Sequence, residues 1–214
     1  MGRPSVENIL MAALRETWHS PQEYLRLERM GKDKHEYHNG RIYAMAGASP
    51  SHVRVTRNVL TSLHTQLRGK TCEAFGNDQR VQVDSSGLYT YPDVSVICGE
   101  ARYDPFEPDN LLNPTLLVEV LSATTEGYDR GDKFRMYRTI PSFREYVLIA
   151  QDKAWIDSYF KGDDGEWRLS SVEGLEAVLM LRTVACRLAL DEVYEGVSFE
   201  SAPLPPGESS DQAR

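Results

Sequence analysis

The run Leu116-Leu117-Val118-Glu119-Val120-Leu121 constrains this chain more than any other stretch. It is short, continuous and apolar on both faces, so it reads as a strand in a sheet covered on both sides. Period two places Leu117, Glu119 and Leu121 on one face and Leu116, Val118 and Val120 on the other. Glu119 is then an acid flanked by leucines inside the protein. Such a carboxyl must be paired, hydrogen-bonded or metal-bound, or it takes up a proton.

Two neighbouring features extend that oddity into a constellation. Tyr91-Pro92-Asp93 sits within a predicted strand from Leu88 to Cys98. Proline donates no hydrogen bond and is tolerated at strand ends, so Asp93 is expected where the sheet opens. Downstream, a helix beginning between Thr125 and Asp129 must end before Pro141. Helical spacing aligns Lys133 with Met136, Tyr137 and Ile140 and turns Asp132 and Arg135 outward. Two carboxylates on adjacent strands can hold a hard divalent cation, Mg²⁺ or Mn²⁺. An inward ammonium can stabilise charge developing on a phosphoryl group. Asp93 and Glu119 are therefore the expected metal ligands and Lys133 the catalytic cation. Glu36 and His52 are candidates for the same cavity, as an extra carboxylate and a proton-transfer or phosphate-contacting group. Singly, each residue has a plainer reading: Pro-Asp as a turn, Glu119 paired with an arginine, Lys133 snorkelling, His52 as a satisfied core residue. Their order along the chain joins them.

The rest of the 214 residues suits one domain with terminal extensions. Cys72, Cys98 and Cys186 are odd in number and widely spaced, which argues against a disulfide framework or zinc ribbon and suits a reducing compartment. Ile9 to Leu14 is too short an apolar run for a signal core or a membrane span, so a cytoplasmic protein is expected. The net charge of −8 gives no global attraction to nucleic acid, but it is unevenly spread. Tyr37 to Cys72 holds no acid and carries +5, leaving −13 on the remainder, and Arg130 to Arg144 holds five basic residues against Asp132. Either stretch offers a polyanion a local positive surface.

In chain order, residues 1–19 form an extension with weak helical periodicity. Ser20-Pro21-Gln22-Glu23 starts a helix that ends at Gly31, with Tyr24, Leu25 and Leu27 available for burial. Asn39-Gly40 makes a tight hairpin in which Tyr37 faces Ile42 and Glu36 faces Tyr43. Ser51 caps a helix from His52 to Leu67. Cys72 to Asp84 reads as one strand and Asp104 to Asn113 as a loop. Strands follow over 143–150, 154–160, 167–169, 178–181 and 184–188, with a helical turn at 190–194. Residues 198–214 form an acidic tail with little to bury.

These segments together resemble the PD-(D/E)XK nuclease superfamily, and more closely the large bacterial Uma-two family of restriction-endonuclease-like proteins. The resemblance rests on Tyr24-Leu25 with Glu28, Glu36-Tyr37 with Asn39-Gly40, Met45-Ala46-Gly47, His52, Tyr91-Pro92-Asp93-Val94-Ser95-Val96, Leu117 to Ser122, Tyr128-Asp129 with Lys133 and Tyr137, and Arg144 to Ile149. It spans roughly residues 21–197. It implies an α/β, restriction-endonuclease-like fold over residues 20–197, a mixed central sheet flanked by helices and extended by extra C-terminal strands. It implies a Mg²⁺-dependent DNA endonuclease with Asp93 and Glu119 on the metal, Glu36 as an accessory acid, and His52 at a recurrent family position. Leu121 stands where the superfamily pattern has lysine, and the family resemblance moves that role to Lys133 on the following helix. A homodimer, with two sites for two strands, follows by analogy with such folds. The rival readings are a catalytically inactive nucleic-acid-binding or regulatory module, for which Leu121 speaks, and an assembly protein whose acidic surface repels nucleic acid.

Overall fold

The computed structural model describes residues 18–45 and 47–199. The expected N-terminal extension and acidic tail fall almost wholly outside that range. Of the tail, Phe199 is described, and its ring lies 5.2 Å from that of Tyr194.

Local sequence signals explain the first elements. Helix α1 (Pro21–Met30) has Ser20 as its cap, whose hydroxyl accepts from the Glu23 amide. Tyr24 and Leu25 are buried, but Leu27 is exposed; it lies about 200° around the helix from Leu25. Strands β1 (His35–His38) and β2 (Arg41–Ala44) pair in the expected register, Tyr37 opposite Ile42 and Glu36 opposite Tyr43. Asn39 and Gly40 supply the positive φ angles, 48° and 88°, that the two-residue turn needs. Helix α2 (Pro50–Leu67) begins earlier than expected. Ser49, not Ser51, is its cap and accepts from the His52 amide, because Pro50 is better placed as the first helical residue. Its stripe of Val55, Val59, Leu63 and Leu67 is buried, each side chain contributing about 1.5–3 kcal/mol by leaving water.

The next region corrects two expectations. The single strand expected over 72–84 is two strands in different sheets, β3 (Cys72–Gly76) and β4 (Arg80–Val83). The strand expected over 88–98 is likewise divided, into β5 (Leu88–Thr90) and β6 (Val94–Cys98). Pro92 cannot donate to a ladder, and the chain changes sheets at that point. The loop over 104–113 adds a short strand, β7 (Asn110–Leu111). The founding run is strand β8 (Leu116–Leu121), buried along its whole length.

A helical segment then runs as α3 (Glu126–Tyr128), a π-helical turn over Asp129–Lys133, and α4 (Phe134–Tyr137). Strands β9 (Glu145–Ala150), β10 (Trp155–Lys161), β11 (Trp167–Glu173), β12 (Val178–Leu181) and β13 (Cys186–Ala189) follow, and a last turn, α5 (Leu190–Val193).

The central sheet has six strands in the order β11-β10-β9-β8-β6-β3, with β8 and β9 parallel and the other pairs antiparallel. Beside it lies a five-stranded sheet, β2-β1-β5-β4-β7, and a hairpin of β12 and β13. The alternation on β8 is as expected. Leu116, Val118 and Val120 pack with α2 and the β12–β13 hairpin. Leu117 and Leu121 pack on the other face with Phe134, Met136 and Tyr137 of α4 and with Val81, Val83 and Leu88 of the second sheet. Glu119 points into that second layer.

Cys72 and Cys98 face each other across β3 and β6 and form a disulfide, while Cys186 is free and buried. This corrects the reading of the cysteines as unbridged, and removes the ground on which a reducing compartment was expected. Spacing in sequence carries no information about which strands become neighbours. Among the described residues no helix is long and apolar enough to cross a membrane.

Candidate active site

The site forms where the chain crosses between sheets. The register that sets Val94 opposite Val118 brings Asp93, one residue before, alongside Glu119, one residue after. Asp93 Oδ2 accepts a 2.7 Å hydrogen bond from the Val120 amide, which fixes the carboxylate against β8. His52, in the first turn of α2, brings Nε2 to 3.3 Å from the same oxygen. Glu119 Oε1 accepts from the Tyr137 hydroxyl at 2.8 Å and lies 3.0 Å from Lys133 Nζ. Lys133 Nζ is also 3.1 Å from Glu36 Oε1 on β1 and 3.6 Å from Asp129 Oδ1. The Thr90 hydroxyl, at the end of β5, donates to Glu36. The structure thus brings Asp93, Glu119, Lys133, Glu36 and His52 to one place.

The π turn explains the helical contribution. Such turns are rare and are found frequently at functional sites. Here Asp129 and Lys133 both turn inward and are buried, while Asp132 and Arg135 pair with each other outside at 3.0 Å.

Burial sets the electrostatics. Removal from water pushes the Glu119 carboxyl well above the usual range; Lys133 opposes that, and Asp129, Asp93 and Glu36 add to it. Burial likewise raises Asp129 against the pull of Lys133 and of a Thr125 hydrogen bond. Burial lowers the Lys133 ammonium, but the carboxylates of Glu119, Glu36 and Asp129 outweigh it and hold it well above its ordinary value. His52 is lowered by burial and raised more by the hydrogen bond and charge of Asp93, with a net upward shift. Four carboxyl groups, those of Asp93, Glu119, Glu36 and Asp129, thus gather around Lys133 and His52. The all-oxygen donor set of Asp93, Glu119 and Asp129 suits a hard ion such as Mg²⁺ or Mn²⁺. Among the described residues, no group of three or more His, Cys, Asp or Glu side chains is placed to hold a metal ion, and Glu119, Glu36 and Asp129 each contact Lys133.

A half-enclosed cavity of about 780 Å³ opens onto these groups. The acid-free segment of the sequence supplies one wall of it, through His38, Tyr43, Met45, Ser49 and His52. In the other basic stretch, Arg138 and Arg144 are exposed, while other side chains are engaged. Arg130 bonds Glu126 and Asp157, both at 2.7 Å, Arg135 is held by Asp132, and Arg138 lies 5.2 Å from the Phe134 ring centre.

Three residues of the site were not picked out from sequence. Asp129 had a readable signal, its position four residues before Lys133 on one helix. Tyr137 had been counted only as part of the apolar stripe, and its hydroxyl is what reaches Glu119. Thr90 had no signal, since only the change of sheet after β5 places it beside Glu36.

Comparison with known proteins bears on this arrangement. The model of the Uma2 family, described as "Putative restriction endonuclease", matches residues 21–191. The chain belongs to the Uma2 family. The Uma2 match runs from α1 into α5 and includes every residue of the cavity named above. An uncharacterized protein of Synechocystis sp., slr1290, is 38% identical over 180 residues, covering 84% of this chain and 93% of its own. A second from the same organism, sll1609, is 37% identical over 155 residues, covering 72% and 88%. A crystal structure from Anabaena variabilis, described as "a putative nuclease belonging to DUF820", superposes with a TM-score of 0.68 at 15% identity, covering 84% of this chain and 99% of that one. At that identity the likeness shows the fold: a mixed α/β nuclease-type architecture, here with its extra C-terminal strands.

Proposed function

We propose that this Uma2 protein is a metal-dependent endonuclease that hydrolyses phosphodiester bonds in DNA. The observation that carries the reading is the cluster of Asp93, Glu119 and Lys133 at the floor of the cavity, with Lys133 Nζ 3.0 Å from Glu119. Family membership and the nuclease-type fold support it. Asp93 and Glu119 would hold Mg²⁺ or Mn²⁺, with Asp129 beside them. Bound there, the ion supplies Lewis-acid polarisation of the phosphate.

The chain's own groups do the rest. The Lys133 ammonium offsets charge developing on the phosphoryl oxygens in a water-poor site, where such an interaction is strong. Glu36, tied by Thr90, and Glu119, tied by Tyr137, keep that ammonium charged and fixed in position. His52 Nε2, 3.3 Å from Asp93 Oδ2, can orient that carboxylate or, when protonated, pass a proton to the leaving oxygen. The first turn of α2, which carries His52, contains no acid, so its positive dipole end is free to favour a phosphate.

The test is incubation of supercoiled duplex and circular single-stranded DNA with Mg²⁺ or Mn²⁺. Wild type should cleave, and Asp93→Asn should lower the rate at least about a hundredfold. No cleavage by wild type, or equal cleavage by both proteins, overturns the reading.

One observation favours a second reading, a nucleic-acid-binding module without catalysis. The acids are drawn to Lys133 rather than gathered as ligands. That module would bind DNA in a salt-dependent way, and binding would survive Glu119→Ala.

A further inference from the structure

The cavity's walls bear on which form of nucleic acid reaches its floor. Asp93, Glu119, Asp129 and Lys133 are all buried, so a phosphate must enter to meet them. The volume, about 780 Å³, is that of a sphere roughly 11 Å across, too narrow to take in both strands of a duplex together. A duplex also needs a row of Lys and Arg along its phosphates. No arginine lines this cavity, and its one lysine, Lys133, is engaged by three carboxylates.

The rim is instead aromatic and apolar. Tyr43 is 48% exposed and Met45 36% exposed, both on or beside the edge strand β2. Tyr128, on α3, lines the cavity, and the Tyr43 hydroxyl is near enough to influence its ionisation. Ser49, before α2, bonds Gln151, just after β9, and this tie bounds the cavity on that side. Aromatic side chains on which bases can stack are a recurrent device for holding unpaired strands, since only an unpaired base can lay its face on a ring.

We infer that the substrate of this site is an unpaired polynucleotide strand, a single-stranded tail, flap or end, whose base stacks on Tyr43 and Tyr128 while its phosphate descends to Asp93, Glu119 and Lys133. The inference rests on the phosphodiesterase reading above and narrows it. It departs from the expectation of two paired copies cutting two strands of a duplex, because each centre then takes one strand.

The experiment uses the full chain and a fluorescein-labelled oligonucleotide in three forms: single-stranded, blunt duplex, and duplex with a single-stranded tail. Binding is read by anisotropy in EDTA and cleavage by gel in Mn²⁺. Single-stranded and tailed forms should be bound and cut at least about tenfold better than the blunt duplex, the scale of one base–aromatic stack. Tyr43→Ala should weaken single-strand binding and raise KM by about tenfold while leaving kcat near wild type, and Tyr43→Phe should restore both. Phe106→Ala, at an exposed aromatic away from the cavity, should bind like wild type. Equal binding and cutting of the blunt duplex overturns this inference and leaves the nuclease reading standing. Single-strand binding without any cleavage overturns the nuclease reading and, with it, the assignment of an unpaired strand as substrate. Failure to bind any of the three forms overturns both.

Discussion

Lys133 is the residue on which the site's charge balance depends. It is the one ammonium beside two buried carboxylates, Glu119 and Asp129, and the partly buried Glu36, and removing one partner of such a group leaves uncompensated buried charge, at a cost of about 3–5 kcal/mol. Lys133→Met should therefore lower the urea midpoint at pH 8. The sign of its pH dependence follows from the raised acids. A carboxyl whose folded pKa lies above its unfolded value contributes most at low pH and loses that contribution as pH rises through the folded pKa. Glu119 and Asp129 are both shifted that way, so the deficit of the variant should shrink as pH falls toward 5. A deficit independent of pH would place the effect of Lys133 elsewhere. The same two shifts bear on metal binding. Ligand carboxyls must lose their protons first, so Mn²⁺ affinity should rise with pH and binding should release protons. Calorimetry in buffers of different ionisation enthalpy reads that release, and Glu119→Gln should diminish it.

At the scale of elements, the β1–β2 hairpin and the β5–β6 break both deliver residues to the site, β1 and β5 being paired neighbours in one sheet. β1 carries Glu36, and its turn depends on Gly40, which has a φ of 88° and whose added Cβ would lie 2.1 Å from Trp18. Gly40→Ala should therefore destabilise the protein by about 1–3 kcal/mol and shift Trp18 emission. Unchanged stability and emission would show the turn to be unimportant for the hairpin. Strand β10 carries an acid, Asp157, that does not line the cavity. Burial raises the Asp157 carboxyl, but hydrogen bonds from Ser171, Arg130 and Trp155 outweigh it and hold it below the usual range. A depressed acid stabilises above its unfolded pKa and loses that stabilisation as pH falls through the folded value. Arg130→Met should accordingly cost stability at neutral pH and progressively less below about pH 4, as read by thermal melts across pH.

At the scale of the whole molecule, the groups named in the site are drawn from two sheets and two helical segments. Cleavage first order in protein would show that one copy suffices, and a second-order dependence that a partner copy is required. Pairing, proposed by analogy, is a separate matter, and light scattering would read it as a mass near about 48 kDa, twice the 24.2 kDa of the chain. The Cys72–Cys98 bridge ties β3 to the central sheet. Alkylation of the unfolded protein should label only Cys186 before reduction and all three thiols after it, and reduction should lower stability by about 2–4 kcal/mol.

Sequence alone determined whatever depends on neighbours within a few residues. The caps at Ser20, the Asn39-Gly40 turn, the two faces of β8 and the inward side of the Lys133 helix all follow from fixed periods and local hydrogen bonds. It also singled out Glu119, because an acid in an apolar strand is a local contradiction. Tertiary structure alone decided what depends on which strands lie side by side. The division of 72–84 and 88–98 between two sheets, the bond between Cys72 and Cys98, and the meeting of Thr90 with Glu36 arise from chain crossings that no period encodes. Glu119 marked the site from the beginning, but only packing showed it held between Tyr137 and Lys133, with three other carboxylates sharing the same charge balance.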